Sequence, residues 1–572
     1  MIKIILFNPL WFKASHGNLR CYVRGWAEYS GEILTAEKIA DVIHSEYFDT
    51  NKAFDELPEL LNGNFSIIIS DQKETMLISD RMRSYPLIYF AENHSFVVTD
   101  DIIQYQKNIG VTLPLDEITC EQFLCSNYII GLYTLFEDVY STQAGEIVTI
   151  GHASKQINRK QYFQWSPNMK NDESQRDYEA EAIQLDEIFK SVFNRMIRSA
   201  PYVNNWIIPL SGGYDSRTIV NYLYKMGIKN VICFTYGMQG NIQSVISRQV
   251  AEALGYEWHF IDYQIWTQKM NAQNILSAYL TYGFNGSSVS HLQDFPAVYA
   301  LKEMSIIKEN DIFVPGHALD FIAGSHLNHP MRTCNSIESV IPVIRKHFSD
   351  FSYHSMKRTA VFRHVHSVIG NYNLNPAQMA ECFVWQERQT KFIANSVKVY
   401  EYFGYSWRIP EWDLELINYW EKIGFNYRYE RNMFKSIFKK YLMMDLLRSI
   451  PFANDLYVKP KQTFKSIVSN NIPLWMKQAI KRTGITTSTY CVNEGSHLIH
   501  SDNSETIADY LSSFNAPMIV RKYLKPYFRK QNLARFGINT VTTLLNIRST
   551  SSSYEPHINH FSHTILRKRE PN

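Results

Sequence analysis

The residue types that could do chemistry gather in Ile208-Pro-Leu-Ser-Gly-Gly-Tyr-Asp-Ser-Arg217. Ser211, Gly212, Gly213, Asp215 and Ser216 fall there between a short apolar run and a helix-like stretch. The glycines let the backbone approach a ligand closely, a following helix offers unpaired N–H groups and its positive dipole end, and the two hydroxyls donate further. Such a turn suits phosphate oxygens. Asp215 adds a carboxylate beside them, where a magnesium ion would use it. The lysine of the GxxxxGK[ST] nucleotide loop is missing, which argues against γ-phosphoryl transfer.

The elements around this turn must hold it rigidly, and the sequence supplies them. Helical apolar spacing over Ala180–Ser199 is followed by alternation: strand Trp206–Leu210, helix Arg217–Met226, strand Val231–Thr235, helix Ser244–Leu254, strand Trp258–Ile261 and a further strand at Ile312–Pro315. That rhythm predicts a parallel sheet with right-handed crossovers. Upstream, short runs at Ile2–Phe7, Phe65–Ser70, Thr75–Ser79, Leu87–Phe90, Ser95–Thr99 and Glu146–Ile150 predict a mostly antiparallel region. The polar stretch Trp165–Ser174, carrying Pro167, reads as a linker. Residues 370–450 look helical and aromatic, and no pattern emerges beyond Pro451.

The SGGxDS pattern resembles the pyrophosphate loop of the ATP pyrophosphatases. Further segments resemble the asparagine synthetase branch. Ile312-Phe-Val-Pro-Gly-His-Ala-Leu-Asp-Phe-Ile-Ala-Gly-Ser325 is similar to its GxGxDExxxG stretch, with Gly316, Asp320 and Gly324 in register. Trp407-Arg-Ile-Pro-Glu-Trp-Asp413 resembles RVPFLD, and Lys459-Pro-Lys-Gln-Thr-Phe464 the family's lysine segment, with Lys461 in the position that contacts phosphates and the acyl-adenylate. Leu61-Asn-Gly-Asn-Phe65, Ser79-Asp-Arg81, Tyr85-Pro-Leu87 with Tyr89, Thr134-Leu-Phe136 and Ala144-Gly-Glu146 look like the family's glutaminase domain.

The resemblance covers roughly residues 1 to 465 and implies an architecture and a reaction. An N-terminal α+β sandwich of the Ntn glutaminase type would span 1–165, an α/β ATP pyrophosphatase-like synthetase domain 176–465, and a partly disordered basic extension 466–572. ATP would be cleaved between its α and β phosphates, a carboxylate adenylated, and a nitrogen nucleophile admitted to give an amide, AMP and pyrophosphate. Ser211, Gly212, Gly213 and Ser216 would hold pyrophosphate, Asp215 and Asp320 magnesium, Phe234, Tyr236 and Gly237 the adenine, with Gly316 beside the nucleotide. Lys461 would neutralise charge on the α-phosphate and the oxyanion.

Departures from the pattern carry information too. Where that glutaminase class has a cysteine after the initiator methionine, this chain has Ile2, and its first cysteine is Cys21. Isoleucine cannot attack a carboxamide, so ammonia or another amine, supplied by a separate glutaminase or from solution, is the expected donor. Cys21 lacks the α-amino base and reads as a buried strand cysteine. Phe321 stands where the DE pair has glutamate, and Ser406 where a glutamate precedes RVP. Losing two carboxylates alters how a cationic amino group would be held, so the acid need not be aspartate, and a sugar uronate or peptide carboxylate stays open. The same losses keep open a catalytically silent nucleotide-binding scaffold.

Bulk properties narrow the partners. Lys plus Arg at 58 against Asp plus Glu at 55 leaves +3, which argues against nucleic acid and, with no paired catalytic cysteines, against tRNA modification. Seven cysteines without a CxxC pair suit a reducing cytoplasm, no run approaches the roughly eighteen apolar residues of a membrane span, and the N-terminus lacks a cleavable leader pattern. His557, His560 and His563, and the ten basic against two acidic residues from Arg521 onward, read as solvated tail features. Oligomeric state stays open, a homodimer among the options.

Overall fold

The computed structural model of the chain describes residues 2–48, 54, 56–237, 239–272, 275–345 and 359–456. Lys461, the tail histidines and the basic stretch lie outside them. The N-terminal runs build two layered sheets. One has the order Ile2–Ile5, Ser95–Thr99, Ile88–Glu92, Val139–Ser141; the other runs Ile157–Gln161, Glu146–Gly151, Glu74–Ser79, Asn62–Ser70, Leu19–Tyr29, Phe12–His16, with Glu32–Thr35 also on Leu19–Tyr29. Only Ile2–Ile5 with Ser95–Thr99 is a parallel pair among these.

Strand alternation decides the layers. Ile68, Leu77, Val148 and Ile150 share the core between the sheets with Ile2, Leu87, Tyr89 and Val98. Ile67, Ile69, Met76, Ile78 and Ile147 turn to the opposite face, where Ile39 and Ala40 of the helix Ala36–Val42 cover them. The long strand Leu19–Tyr29 has no counterpart in the sequence reading, because Arg20, Arg24, Gly25 and Glu28 break up its apolar alternation.

The second half holds a parallel sheet in the order Glu257–Asp262, Val231–Gly237, Trp206–Pro209, Ile312–Phe313, Ser406–Trp407. Helices Asp215–Lys225 and Ile242–Leu254 make the first two crossovers. The chain starts at the centre, builds outward on one side, and returns to build the other. At such a reversal of strand order a crevice opens outside the carboxyl ends of the strands.

Trp165–Ser174 has no regular element, as expected of a linker, yet it is tied down. Trp165 is fully buried, the Ser166 and Asn168 amides donate to Glu421, and the Asp172 amide donates to Asn426. The polar residues that suggested a loose tether are its fastenings. The two halves also share one apolar core, which takes Ile88, Phe90 and Val97 from the smaller sheet and Trp206, Ile207 and Phe234 from the parallel one. Polar ties cross the same seam. Arg24 pairs with Glu401 at 3.1 Å, and Lys391 Nζ donates to the Ile129 and Gly131 carbonyls at 2.9 and 2.6 Å. Among the described residues no helix is long and apolar enough to cross a membrane.

Candidate active site

Strand Trp206–Pro209 runs into the turn Leu210–Tyr214, and helix Asp215–Lys225 leaves it. A cleft of about 470 Å³ opens over this turn, in the size range of small-molecule sites. Ser211, Gly213, Asp215 and Ser216 line it from the turn, Phe234 and Tyr236 from the end of the neighbouring strand, and Gly316 and Asp320 from the loop after Ile312–Phe313. Segments far apart in sequence thus converge because each follows the carboxyl end of a parallel strand.

Within the turn the Ser211 amide donates to Ser216 Oγ at 3.0 Å, the two hydroxyl oxygens are 3.1 Å apart, and the Gly213 amide donates to Ser211 Oγ at 3.2 Å. Gly212 has another task. Its amide donates to Gln243 Oε1 at 2.6 Å and its carbonyl accepts the Ala453 N–H at 2.9 Å, so it braces the turn and does not line the cleft. Gly237 also stays out of the lining, ending its strand at φ 125°.

The Asp320 amide donates to Asp215 Oδ2 at 3.1 Å, which brings both carboxylate-bearing residues to one spot. Ser325 Oγ donates to Asp320 Oδ2 at 2.9 Å. Arg431 Nη1 stands 3.7 Å from Asp215 Oδ1. Burial first, and then the charge of Asp320, push the Asp215 carboxyl up to about 7 against the opposing pull of Arg431. A divalent cation would relieve that repulsion. Among the described residues no cluster of three or more His, Cys, Asp or Glu is arranged to hold a metal alone. Two carboxylates with phosphate oxygens completing the shell is the manner in which magnesium is commonly bound, and these residues fit it.

Close packing makes Gly316 necessary. A Cβ there would lie 2.7 Å from the Ser216 backbone nitrogen, which cannot swing aside. Gly316→Ala is therefore expected to cost about 1–3 kcal/mol and to weaken nucleotide binding by widening the gap between the two loops. Urea denaturation and nucleotide titration check both; an unchanged denaturation midpoint would contradict the packing account. Gly324 is held by its backbone too, with φ 99° and a hypothetical Cβ 2.3 Å from the Arg428 carbonyl oxygen.

Phe321 is fully buried and stacks on His326 with ring centres 4.3 Å apart and packs against Trp165 at 5.7 Å, so it serves the core. Ser406 is exposed on the edge strand. Cys21 is 4% exposed in mid-strand, and burial pushes its thiol up to about 12, far from a nucleophilic thiolate.

Two residues that act on the paired aspartates escape sequence reasoning. Arg431 follows Glu430 in left-handed backbone, at φ 61° and 52°; only the fold brings it to Asp215. Glu411, fully buried, has its carboxyl held well above the usual range by burial and by Asp215 and Asp320. A carboxylate inside the apolar run Ile409-Pro-Glu-Trp412 was its available signal. The folded state keeps the Glu411 proton to higher pH than the unfolded state does, so this residue costs stability as pH rises above the ordinary carboxylate range. Glu411→Gln is expected to raise the urea midpoint at pH 8 and leave it unchanged at pH 4; an equal change at both would show that its charge is not the cause.

The segment after the helical region returns over the turn. Arg217 Nη1 and Nη2 donate to the Ile450 and Pro451 carbonyls at 2.8 and 2.7 Å, and Tyr214 stacks on Phe452 with ring centres 3.9 Å apart and planes nearly parallel. Ala453 reaches the cleft lining, and the described residues end three positions later at Leu456.

No family model matches the chain, and no curated protein matches it. Among solved structures it is similar to the NH3-dependent NAD synthetase from Campylobacter jejuni subsp. jejuni NCTC 11168 in complex with nitrate, at 13% identity over 26% of this chain and 61% of that one, TM-score 0.18. It is also similar to the glutamine phosphoribosylpyrophosphate amidotransferase from B. subtilis complexed with ADP and GMP, at 12% identity over 44% and 48%, TM-score 0.18. A third is NMN synthetase from Francisella tularensis, at 12% over 45% and 97%, TM-score 0.17. The chain spans less than two thirds of the first two proteins. Scores this low carry no weight for function, so the reading of the cleft rests on its own residues.

Proposed function

We propose that the chain is an ATP-dependent amide-forming ligase of the asparagine synthetase type. The observation that carries this reading is the meeting of Asp215 and Asp320, with the Asp320 amide 3.1 Å from Asp215 Oδ2, beside a serine- and glycine-built turn at the strand-order reversal of a parallel sheet. A substrate carboxylate oxygen attacks the α-phosphorus of ATP, the bond to the bridging oxygen breaks, and pyrophosphate leaves. Ser211, Gly213 and Ser216 hold the departing pyrophosphate, with Arg431 opposing its charge. Phe234 and Tyr236 face the adenine. A nitrogen nucleophile then attacks the acyl carbon, AMP leaves with the C–O electron pair, and the nitrogen gives up its proton. Magnesium, held by Asp215 and Asp320, would supply charge neutralisation at the phosphates.

Lys461 is assigned to the α-phosphate and the oxyanion. That assignment rests on the resemblance of its segment, which follows Ala453 of the cleft lining by eight residues. Residues 1–165 are read as a glutaminase-type sandwich without its nucleophile, and 176–465 as the synthetase domain.

Exchange of radiolabelled pyrophosphate into ATP, dependent on an added carboxylic acid, tests the reading. Failure across a broad panel of acids in protein that still binds ATP would leave a nucleotide-binding scaffold instead. Purified protein is also expected to release no glutamate from glutamine above background, while ammonia supports turnover. Glutaminase activity that survives Cys21→Ala would remove the amine-donor part of the proposal.

A further inference from the structure

Ser396 and His317 come to the cleft from segments far apart in sequence and meet there. Ser396 lies on the single turn Ala394–Val397 that follows the π-helical segment Val384–Ile393, and His317 on the loop after strand Ile312–Phe313. Both line the cleft, and Ser396 Oγ stands 2.9 Å from His317 Nε2. A hydroxyl at that distance from an imidazole nitrogen is placed to pass it a proton. The ring also makes a hydrogen bond with the Gly316 backbone, which fixes its orientation.

The segments that carry the pair are held firmly. Next to Ser396, Asn395 Nδ2 donates to the Gly283 and Val289 carbonyls at 2.9 and 2.8 Å. The His317 amide donates to the Pro315 carbonyl at 3.0 Å, and Ala318 after it takes φ 83°, a left-handed conformation that is costly for a residue with a Cβ. Such strain persists only where the surroundings enforce it, and it collects at reacting centres. Through Gly316, which packs on the Ser216 backbone, the same loop closes on the phosphate turn.

Amide formation needs a proton acceptor. A neutral amine that attacks an acyl carbon must shed a proton, and a positioned base lowers the barrier to that step. Burial lowers the His317 imidazole below its ordinary value, against the pull of Asp294, Asp320 and the Gly316 backbone, so the ring is uncharged at neutral pH. The charges of the two aspartates favour the imidazolium once it forms. His291, another imidazole in the lining, has Nε2 2.6 Å from the Phe392 carbonyl oxygen and is held down to about 4 by burial, which makes it a weaker base. Asp294 is the competing acceptor, with Tyr236 and Tyr400 donating to its oxygens at 2.5 and 2.6 Å. Base catalysis is most efficient when the acceptor titrates near the working pH, and an imidazole ordinarily lies closer to neutrality than a carboxylate.

We propose that Ser396 and His317 form the proton path of the amide-forming step. The nitrogen nucleophile donates its N–H to Ser396 Oγ, and the serine hydroxyl proton passes to His317 Nε2. Meanwhile the N–C bond forms, the C–O bond to AMP breaks with its electron pair, and the imidazolium then gives the proton to water. Ser396 touches the reacting nitrogen; His317, with its ring proton on Nδ1, acts through it. This rests on the ligase reading of the cleft. The test compares two rates in full-length protein with magnesium and ATP. One is pyrophosphate exchange driven by whichever acid serves wild type best, from a panel that includes L-aspartate, D-glucuronate and dialanine; the other is amide formation from that acid with ammonium chloride. His317→Ala and Ser396→Ala are each expected to lower amide formation relative to exchange by at least about a hundredfold. Added imidazole should restore part of the loss in His317→Ala, which a purely structural role for the ring would not give. An unchanged ratio in both variants, a parallel loss of both rates, or a fallen ratio that imidazole does not restore overturns the inference and leaves the ligase reading standing. A fall confined to Asp294→Asn overturns it too and makes that carboxylate the acceptor. An acyl group found on Ser396 by intact-mass spectrometry, after incubation with ATP and acid alone, would make the serine a nucleophile and likewise overturn it. No exchange with any acid in wild type removes the ligase reading itself, and this inference with it.

Discussion

Asp215→Asn is expected to lower acid-dependent pyrophosphate exchange by at least about a hundredfold, the scale of lost electrostatic stabilisation at a reacting centre, and at the same time to stabilise the metal-free protein at neutral pH. The two effects share one cause. Asp215 sits 15% exposed against the Asp320 amide, and burial with the Asp320 charge raises its carboxyl from 3.8 to about 7. Between those values the folded state binds more protons than the unfolded state, so stability falls as pH rises through the window. Asparagine removes the ionisable group and with it the dependence. Wild-type protein without magnesium should therefore lose melting temperature from pH 4 to pH 7 more steeply than the variant, and added magnesium should narrow the gap at pH 7. The side chain's polarity and its place at a helix start argue by themselves for a change of no more than about 1 kcal/mol; the neighbouring Asp320, which the fold supplies, turns that into a gain. Full exchange activity in the variant would mean that this turn does not handle the triphosphate.

Part of this was legible in the sequence because it is local. A glycine turn between an apolar run and a helix fixes its own geometry, so Ser211, Gly213, Asp215 and Ser216 could be named from spacing. The alternation of short apolar runs with helical spacing likewise prescribed the parallel strands from Trp206 to Ile261. Asp320 required the family resemblance, since only the order of strands in the sheet brings its loop against Asp215. Glu411 lies in the segment that resembles RVPFLD, but that resemblance gives it no role. Arg431 had no such help: it sits in a turn, and its approach to Asp215 depends on how the helices after residue 370 fold back over the sheet. Leu19–Tyr29 was hidden for a different reason. It is long and central, but it presents charged residues to its surroundings, including Arg24, which is buried because Glu401 from the other half of the chain pairs with it at 3.1 Å. An interior arginine looks like a surface one until its partner is known.

Lys461→Met separates activation from recognition. The segment Ile450–Ala453 is tied over the turn Leu210–Tyr214 by Arg217, by the Tyr214–Phe452 stack and by the Ala453 amide on the Gly212 carbonyl. Ground-state ATP in this reading is already held by the turn, the metal and Arg431. A further ammonium at the α-phosphate would matter most as charge builds on the pentavalent phosphorus and later on the acyl oxyanion, where an interaction made only in the transition state raises turnover and leaves substrate affinity alone. Methionine keeps the stem and deletes the charge. Nucleotide affinity should stay within about tenfold, or roughly 1.4 kcal/mol, while amide formation falls by a far larger factor. Lys459→Met is the control, because it alters the same segment two residues away without touching the assigned position. Near-normal turnover in both variants would make Lys461 one solvated lysine among several and withdraw its role; loss confined to Lys461→Met, with ATP binding intact, assigns the charge to the reacting centre.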